Sequence, residues 1–304
     1  MGKVAFVFSG QGDQRPGMGK ELVEKYPAAR DIFRICDRVR PGTSRQCFSG
    51  TAEELRRTEN TQPCLFAMEL ALAEALRETG LTPDAVAGFS LGEVSACTFA
   101  GVFDYASGFS LAVKRGKLMQ EAVEDRDTAM AAVLRLSHGK VEQICASMRD
   151  VYPVNYNCPG QTTVATDAFR LPEFSEAVRK AGGRIMILPV GGGFHSPWMK
   201  GASEAFLAVL QKTRCRRPEM PVYSNVTAQP YPYPEEFREL LAAQIRKPVR
   251  WESLVLSMRA SGIDTFIEIG PGNTLAGLIR KIDPALHTYS GLDFDRIRRE
   301  VMKC

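Results

Sequence analysis

Val86-Ala-Gly-Phe-Ser-Leu-Gly-Glu93 is a short apolar run that breaks into Gly88-Phe89-Ser90-Leu91-Gly92. The spacing is that of a G-x-S-x-G elbow, in which a strand turns sharply into a helix and holds a serine at the bend. A Cβ at either glycine would clash with backbone folded that tightly. The turn exposes the serine Oγ and aims the N–H of Leu91 toward the oxygen of a carbonyl under attack. The context suits it, with an apolar strand at 85–89 before the turn and helix-prone sequence from Leu91 to Ala100 after it. The competing reading is a helix N-cap serine flanked by packing glycines.

Outward from the elbow, strands and helices alternate. Val4–Phe8 reads as a strand, Glu21–Val39 as one helix, and Thr51-Ala-Glu-Glu54 as a capping box. Pro63 predicts the first turn of a long helix stopped at Gly80. A helix with Asp104 as its cap should run to Val123, and the character then changes at Glu124-Asp-Arg-Asp127. From there the order is strand 129–136, helix 139–148, strands 154–157 and 162–165, helix 172–181 and strand 184–188. That is the β-α-β-β-α-β pattern of a ferredoxin-like unit.

Alternation resumes afterwards: helix 201–212, strand 222–225, helices 235–245 and 251–261, strand 265–269, helix 274–282, strand 288–292 and a last helix from Asp295. The expected fold class is α/β. Residues 1–123 and 190–304 should form a mostly parallel, hydrolase-like sheet domain, with the small unit 124–189 inserted into it.

Composition narrows the function. Of 304 residues, 44% are hydrophobic and 24% charged, and the net charge of +4 is too mild to argue for nucleic acid. The basic clusters Arg214–Arg217 and Arg296–Arg299 read as solvated faces. Eight cysteines without a C-x-x-C pair point to reduced thiols in a cytosolic setting, with no metal expected. The apolar run Val4–Phe8 is too short for a signal peptide or a membrane span. Gly10-Gln-Gly12, Gly19-Lys20 and Gly270-Pro-Gly272 each lack a residue that a nucleotide-binding loop requires, so they read as tight turns.

A serine is a weak nucleophile and needs a neighbouring base. There are three histidines. His138 and His287 read as structural. His195 lies on the loop Leu188-Pro-Val-Gly-Gly-Gly-Phe-His-Ser-Pro197, directly after a strand. By itself it is divided between base and loop filler, and the scarcity of alternatives favours the base. The order Ser…His suits α/β-hydrolase chemistry, although no acid is evident between the two. Arg115 is either a solvated helical arginine or a fork for a substrate carboxylate, and sequence physics does not choose.

The motifs together spell a family. Phe8-Ser-Gly-Gln-Gly12, Thr61-Gln-Pro63, the elbow and Arg115-Gly-Lys-Leu-Met-Gln120 come in sequence. Asn155-Tyr-Asn-Cys-Pro-Gly-Gln161, Gly193-Phe-His-Ser196, Ser224-Asn-Val-Thr-Ala228, Pro248-Val-Arg-Trp251 and Glu268-Ile-Gly-Pro-Gly272 follow. Over nearly its whole length the chain resembles malonyl-CoA:acyl-carrier-protein transacylases, including those serving polyketide synthases. The resemblance implies Ser90 as nucleophile, His195 as base, the N–H groups of Gln11 and Leu91 as oxyanion hole, and Arg115 as the holder of the malonyl carboxylate.

It also implies that the backbone carbonyl of Gln244 orients the histidine where hydrolases use an acid. Phe89, Phe194 and Asn157 would line the pocket. Malonyl-CoA would be the substrate and an acyl carrier protein the partner, with no cofactor, in a cytoplasmic monomer. Three departures stand out: Phe89 where the family usually has His, Cys158 where Ser is common, and Gly191-Gly-Gly193 in place of a stiffer stretch. A thioesterase or lipase, or a carrier-docking subunit without catalysis, are the alternatives.

Overall fold

The computed structural model describes residues 2–124, 126–190, 192–232 and 236–302. Asp125 of the acidic turn, Gly191 of the glycine loop, Glu235 at the start of the helix expected at 235–245, and Cys304 lie outside the described residues.

The larger sheet has five strands: β1 (Lys3–Phe8), β2 (Ala85–Gly88), β7 (Val222–Tyr223), β8 (Ile263–Ile269) and β9 (His287–Ser290). Their spatial order is β7-β2-β1-β8-β9 and every pairing is parallel. The Phe6, Val7 and Phe8 side chains are fully buried, as in a strand covered by helices on both faces. The second sheet uses one contiguous stretch, with β3 (Thr128–Leu134), β4 (Val151–Cys158), β5 (Gln161–Asp167) and β6 (Arg184–Ile187). It is antiparallel in the order β4-β5-β3-β6, with helices His138–Ala146 and Leu171–Lys180 between strands. The α/β class and the β-α-β-β-α-β order are therefore as expected.

Several local readings need correction. The helix expected over Glu21–Val39 is two, Lys20–Lys25 and Pro27–Val39. The break is at Tyr26, whose φ of −118° and ψ of 119° are extended. Proline disfavours helical backbone in the residue before it and has no N–H to continue the ladder. The long helix begins at Thr58, not at Pro63, and Pro63 sits inside it. Its start is fixed by the Thr58 N–H donating to Gln120 Oε1 at 3.1 Å, a bond between residues far apart in sequence. The helix Thr43–Ser49 was not anticipated, and the strand expected over 222–225 ends at Tyr223.

Strand β4 of the second sheet bonds to the segment that leads into the helix Trp251–Ala260 of the larger unit. Tyr156 N–H donates to the Val249 carbonyl and Val249 N–H to the Val154 carbonyl, both at 2.9 Å. His138 clamps the same junction. One ring nitrogen lies 2.6 Å from Thr162 Oγ1 of β5, and the other 2.9 Å from Glu252 of the helix Trp251–Ala260. His138, read from the sequence as structural, thus joins the inserted sheet to the larger unit. His138→Ala should lower the unfolding free energy by about 1–2 kcal/mol, measured by urea denaturation. An unchanged midpoint would mean that the β4–Val249 bonds hold the junction without it.

Candidate active site

The chain leaves β2 at Gly88, bends at Ser90 with φ 55° and ψ −106°, and enters the helix Leu91–Phe99. The glycines are required by contact. A Cβ at Gly88 would lie about 2 Å from the Gly92 carbonyl, and one at Gly92 would lie 2.3 Å from the Phe8 carbonyl oxygen of β1. Phe89 N–H donates to that Phe8 oxygen at 2.9 Å, so the turn is pressed against the end of β1. There Ser9 Oγ–H donates to Glu69 at 2.7 Å, and the other oxygen of the same carboxyl accepts from Ser95 Oγ at 2.6 Å. This buried glutamate ties the Gly10-Gln11 turn to the elbow helix.

Ser90 Oγ lies 2.8 Å from His195 Nε2, and His195 Nδ1 lies 2.8 Å from the Gln244 carbonyl oxygen. A carbonyl only accepts, so Nδ1 carries the proton and Nε2 presents its lone pair to the serine hydroxyl. The loop bearing His195 is itself tightly fitted: a Cβ at Gly193 would meet the Trp198 ring at 2.4 Å.

Arg115, on the helix Tyr105–Glu124, is fully buried. It donates to Gln62 Oε1 and Gln244 Oε1, both at 2.8 Å, and to Ser90 Oγ at 3.2 Å. All three partners are neutral. No ion pair engages it among the described residues. Among the backbone bonds of the described residues, none begins at the amide of Gln11 or of Leu91, the first residue of its helix.

Residues 5–286 match the acyl transferase domain family. The chain is 39% identical over 303 residues to the malonyl CoA-acyl carrier protein transacylase of Bacillus subtilis, covering 98% of this chain and 96% of that one. It belongs to the malonyl-CoA:acyl-carrier-protein transacylase family. The solved transacylase of Clostridium perfringens superposes with a TM-score of 0.94 at 33% identity, over 99% of this chain and 96% of that one. A malonyl-transacylase solved with its type II polyketide synthase acyl-carrier protein superposes at 0.90 and 33% identity, over 95% and 94%. The chain is thus an acyltransferase, built on the two-part fold of the transacylase structures.

In this transacylase fold a cavity of about 500 Å³ lies between the two sheets, lined by Gln11, Phe89, Asn157, Met186 and Leu188 among others. Phe89 packs edge-on against Trp251, with ring centroids 5.5 Å apart. Asn157 donates to Thr163 at 3.1 Å. Phe194 is buried in the main core and is not among the cavity-lining residues. The structure also assembles groups that stand in recognisable motifs but whose roles no local pattern shows. Gln62 and the Gln244 side chain grip Arg115, and Asn225 holds the elbow. Glu93, fully buried, accepts from Tyr231 O–H at 2.5 Å and Asn225 N–H at 3.0 Å, while burial pushes its carboxyl up to about 7. No group of three or more His, Cys, Asp or Glu among the described residues could hold a metal. Nor is any described helix long and apolar enough to cross a membrane.

Burial, then the neighbouring Arg115 charge, holds His195 down at about 4, against the pull of its bond to the Gln244 carbonyl. The unfolded chain takes up this proton near pH 6.5 and the native one only near 4, so this group makes the protein lose stability as pH falls through that window. A neutral imidazole is available as base throughout it. The rate of Ser90 labelling by a fluorophosphonate, which carries no carboxylate of its own, should stay flat from pH 8 to about 5 and drop toward 4. An acid limb centred near 6.5 would show an ordinary, solvated histidine instead.

Proposed function

We propose that the protein moves a malonyl group from malonyl-CoA to the pantetheine thiol of an acyl carrier protein, through an ester on Ser90, for fatty acid or polyketide synthesis. The observation that carries this reading is Arg115. It is a fully buried guanidinium that reaches the candidate nucleophile at 3.2 Å and is held by neutral amide oxygens. Burial is so unfavourable to the charge that its proton affinity falls to about 10, yet the group remains cationic at neutral pH. Such a group suits an acyl chain that ends in a carboxylate, since a planar fork can hold both oxygens.

The proposed chemistry runs in two half-reactions. Ser90 Oγ attacks the thioester carbonyl while its proton passes to His195 Nε2. The carbonyl oxygen, now anionic, accepts from the N–H groups of Gln11 and Leu91. Collapse breaks the C–S bond, and the CoA sulfur leaves with the proton from His195. In the second half the carrier thiol gives its proton to His195 and attacks the Ser90 ester, and the serine recovers its proton as the C–O bond breaks. Two large substrates thereby use one pocket in turn. Gln244 serves through its carbonyl, which fixes the tautomer that makes Nε2 the acceptor.

On this reading residues 1–123 and 190–304 form the catalytic unit, and 124–189 covers the acyl pocket. Phe89 and Asn157 would shape that pocket, Phe89 making one wall apolar, while Phe194 stays in the core off its lining. Intact mass after mixing with malonyl-CoA should show a malonyl adduct that disappears in Ser90→Ala. No adduct with any acyl-CoA would sink the enzyme mechanism, and release of free acid with carrier in excess would favour a thioesterase.

Arg115→Ala should lower kcat/KM for malonyl transfer by roughly 10²-fold or more while leaving acetyl transfer unchanged or better. Arg115→Lys should recover little, because an ammonium cannot reproduce the fork. An equal loss for malonyl and acetyl would make Arg115 structural and remove the dicarboxylate assignment.

A further inference from the structure

The backbone at Ser90 is the least self-sufficient part of the site. A non-glycine residue at φ 55° and ψ −106° is strained and holds only if its surroundings fix it. The sheet does not fix it, since the β1–β2 pairing ends at Phe8 and Gly88. The helix holds only its carbonyl, which accepts from Glu93 N–H at 3.2 Å, and leaves the Ser90 N–H without a backbone acceptor among the described residues.

We propose that Asn225 is the positioning residue that sets the nucleophile, and that Glu93 in turn sets Asn225. The proposal rests on the reading of Ser90 as nucleophile. Asn225 Oδ1 accepts the Ser90 N–H at 2.9 Å, and its Nδ2 donates to the Gly88 carbonyl at 2.6 Å. One side-chain amide therefore clips both sides of the bend. It does so from a particular place in the fold. β7 pairs with β2 through Val86–Val222 and Ala87–Tyr223 and then stops. Two residues later the Asn225 side chain supplies the donor and acceptor that a longer β7 backbone would have offered, at the point where β2 is no longer a strand.

Asn225 is fixed at its own backbone. Its N–H donates to Glu93 Oε1 at 3.0 Å and its carbonyl accepts from Arg250 N–H at 3.0 Å. Glu93 lies in the first turn of the helix that Ser90 begins, so the bonds close a ring from Ser90 to Asn225 to Glu93 and back along the helix. Tyr231 O–H braces the same Glu93 oxygen at 2.5 Å. The Gln244 side chain joins this ring to the rest of the site. Its Nε2 donates to the Ser90 carbonyl at 2.6 Å and to Asn225 Oδ1 at 3.3 Å, while its Oε1 receives Arg115. Asn225 thus holds the serine in register with the two groups that must meet it.

A positioning role predicts loss in the chemical step without loss of binding. The experiment compares wild type, Asn225→Ala, Asn225→Asp, Glu93→Gln and Glu93→Ala in single-turnover acylation by malonyl-CoA and in fluorophosphonate labelling, with thermal melts alongside. Asn225→Ala should slow both reactions by about 10²-fold, the scale of a misplaced reacting group, with half-saturating malonyl-CoA changed less than a few-fold. Asn225→Asp keeps the acceptor for Ser90 N–H but sets an anion against the Gly88 carbonyl, and should be nearly as slow. Glu93→Gln keeps an acceptor for Asn225 and Tyr231 and should retain most of the rate, whereas Glu93→Ala should fall toward Asn225→Ala.

Labelling at the wild-type rate in folded Asn225→Ala would overturn the proposal. So would a rate loss that only matches the unfolded fraction, or equal losses in Glu93→Gln and Glu93→Ala. If Asn225→Ala does not fold, Asn225→Asp and the two Glu93 variants carry the same comparison. The phosphonate contains no acyl-CoA, so wild-type labelling without malonylation would count against the malonyl reading and leave this one to stand or fall on the variants.

Discussion

The site depends on how closely the helix Leu91–Phe99 approaches the end of β1. With the Gly92 Cα against the Phe8 and Ser9 carbonyls, nothing larger than hydrogen fits between them. That approach sets the Gly10 turn against the elbow, where a Cβ at Gly10 would lie 2.9 Å from the Phe89 carbonyl oxygen. It also forces Ser90 into backbone that neither strand nor helix would adopt unaided. Buried polar groups then secure the approach from both flanks. Glu69 bonds Ser9 and Ser95 on one side, and Glu93 bonds Asn225 and Tyr231 on the other. Buried carboxyls are unfavourable unless their oxygens are hydrogen-bonded. Both oxygens of Glu69 and Oε1 of Glu93 are bonded, and these bonds tie the elbow helix to a neighbouring strand end.

What the sequence made legible follows from this. The elbow announces itself because its glycines answer a local steric demand, readable at fixed spacing. His195 emerges because few other side chains could serve as base. The β-α-β-β-α-β order is legible because each element there carries its own period and turn residues. Asn225, Gln62 and the side chain of Gln244 carried no such signal, although the motifs containing them did stand out. Their partners are 135, 53 and 129 residues away, respectively, and a polar side chain's choice among distant partners leaves no local pattern. The proline readings failed in a related way. Pro27 broke a helix that apolar periodicity alone would have carried through. Pro63 looked like a start only because the bond from Thr58 to Gln120, which sets the real start, spans 62 residues.

The electrostatics of the site contain an opposition that bears on how it would work. Burial first and the Arg115 charge second hold His195 low, so on the proposed reading the base stands unprotonated and ready. The same charge opposes the imidazolium that must form when Ser90 gives up its proton, and it does so in a buried setting where water screens little. A catalyst built only from Ser90, His195 and a buried cation, offset only by the nearby Glu93 carboxyl, would be ready to begin and poor at proceeding. On the proposed reading the acyl group resolves this. A carboxylate on the Arg115 fork cancels the nearby positive charge and so relieves the second cause, after burial, that disfavours a protonated His195. The substrate would then raise the basicity of the residue that has to act on it. A neutral acyl group of similar size could reach Ser90 but would bring no charge to the guanidinium beyond the pull of Glu93. Discrimination would therefore arise in the proton transfer as well as in binding, so selectivity for a carboxylate would not rest on Arg115 contact energy alone, even with an apolar Phe89 beside the nucleophile.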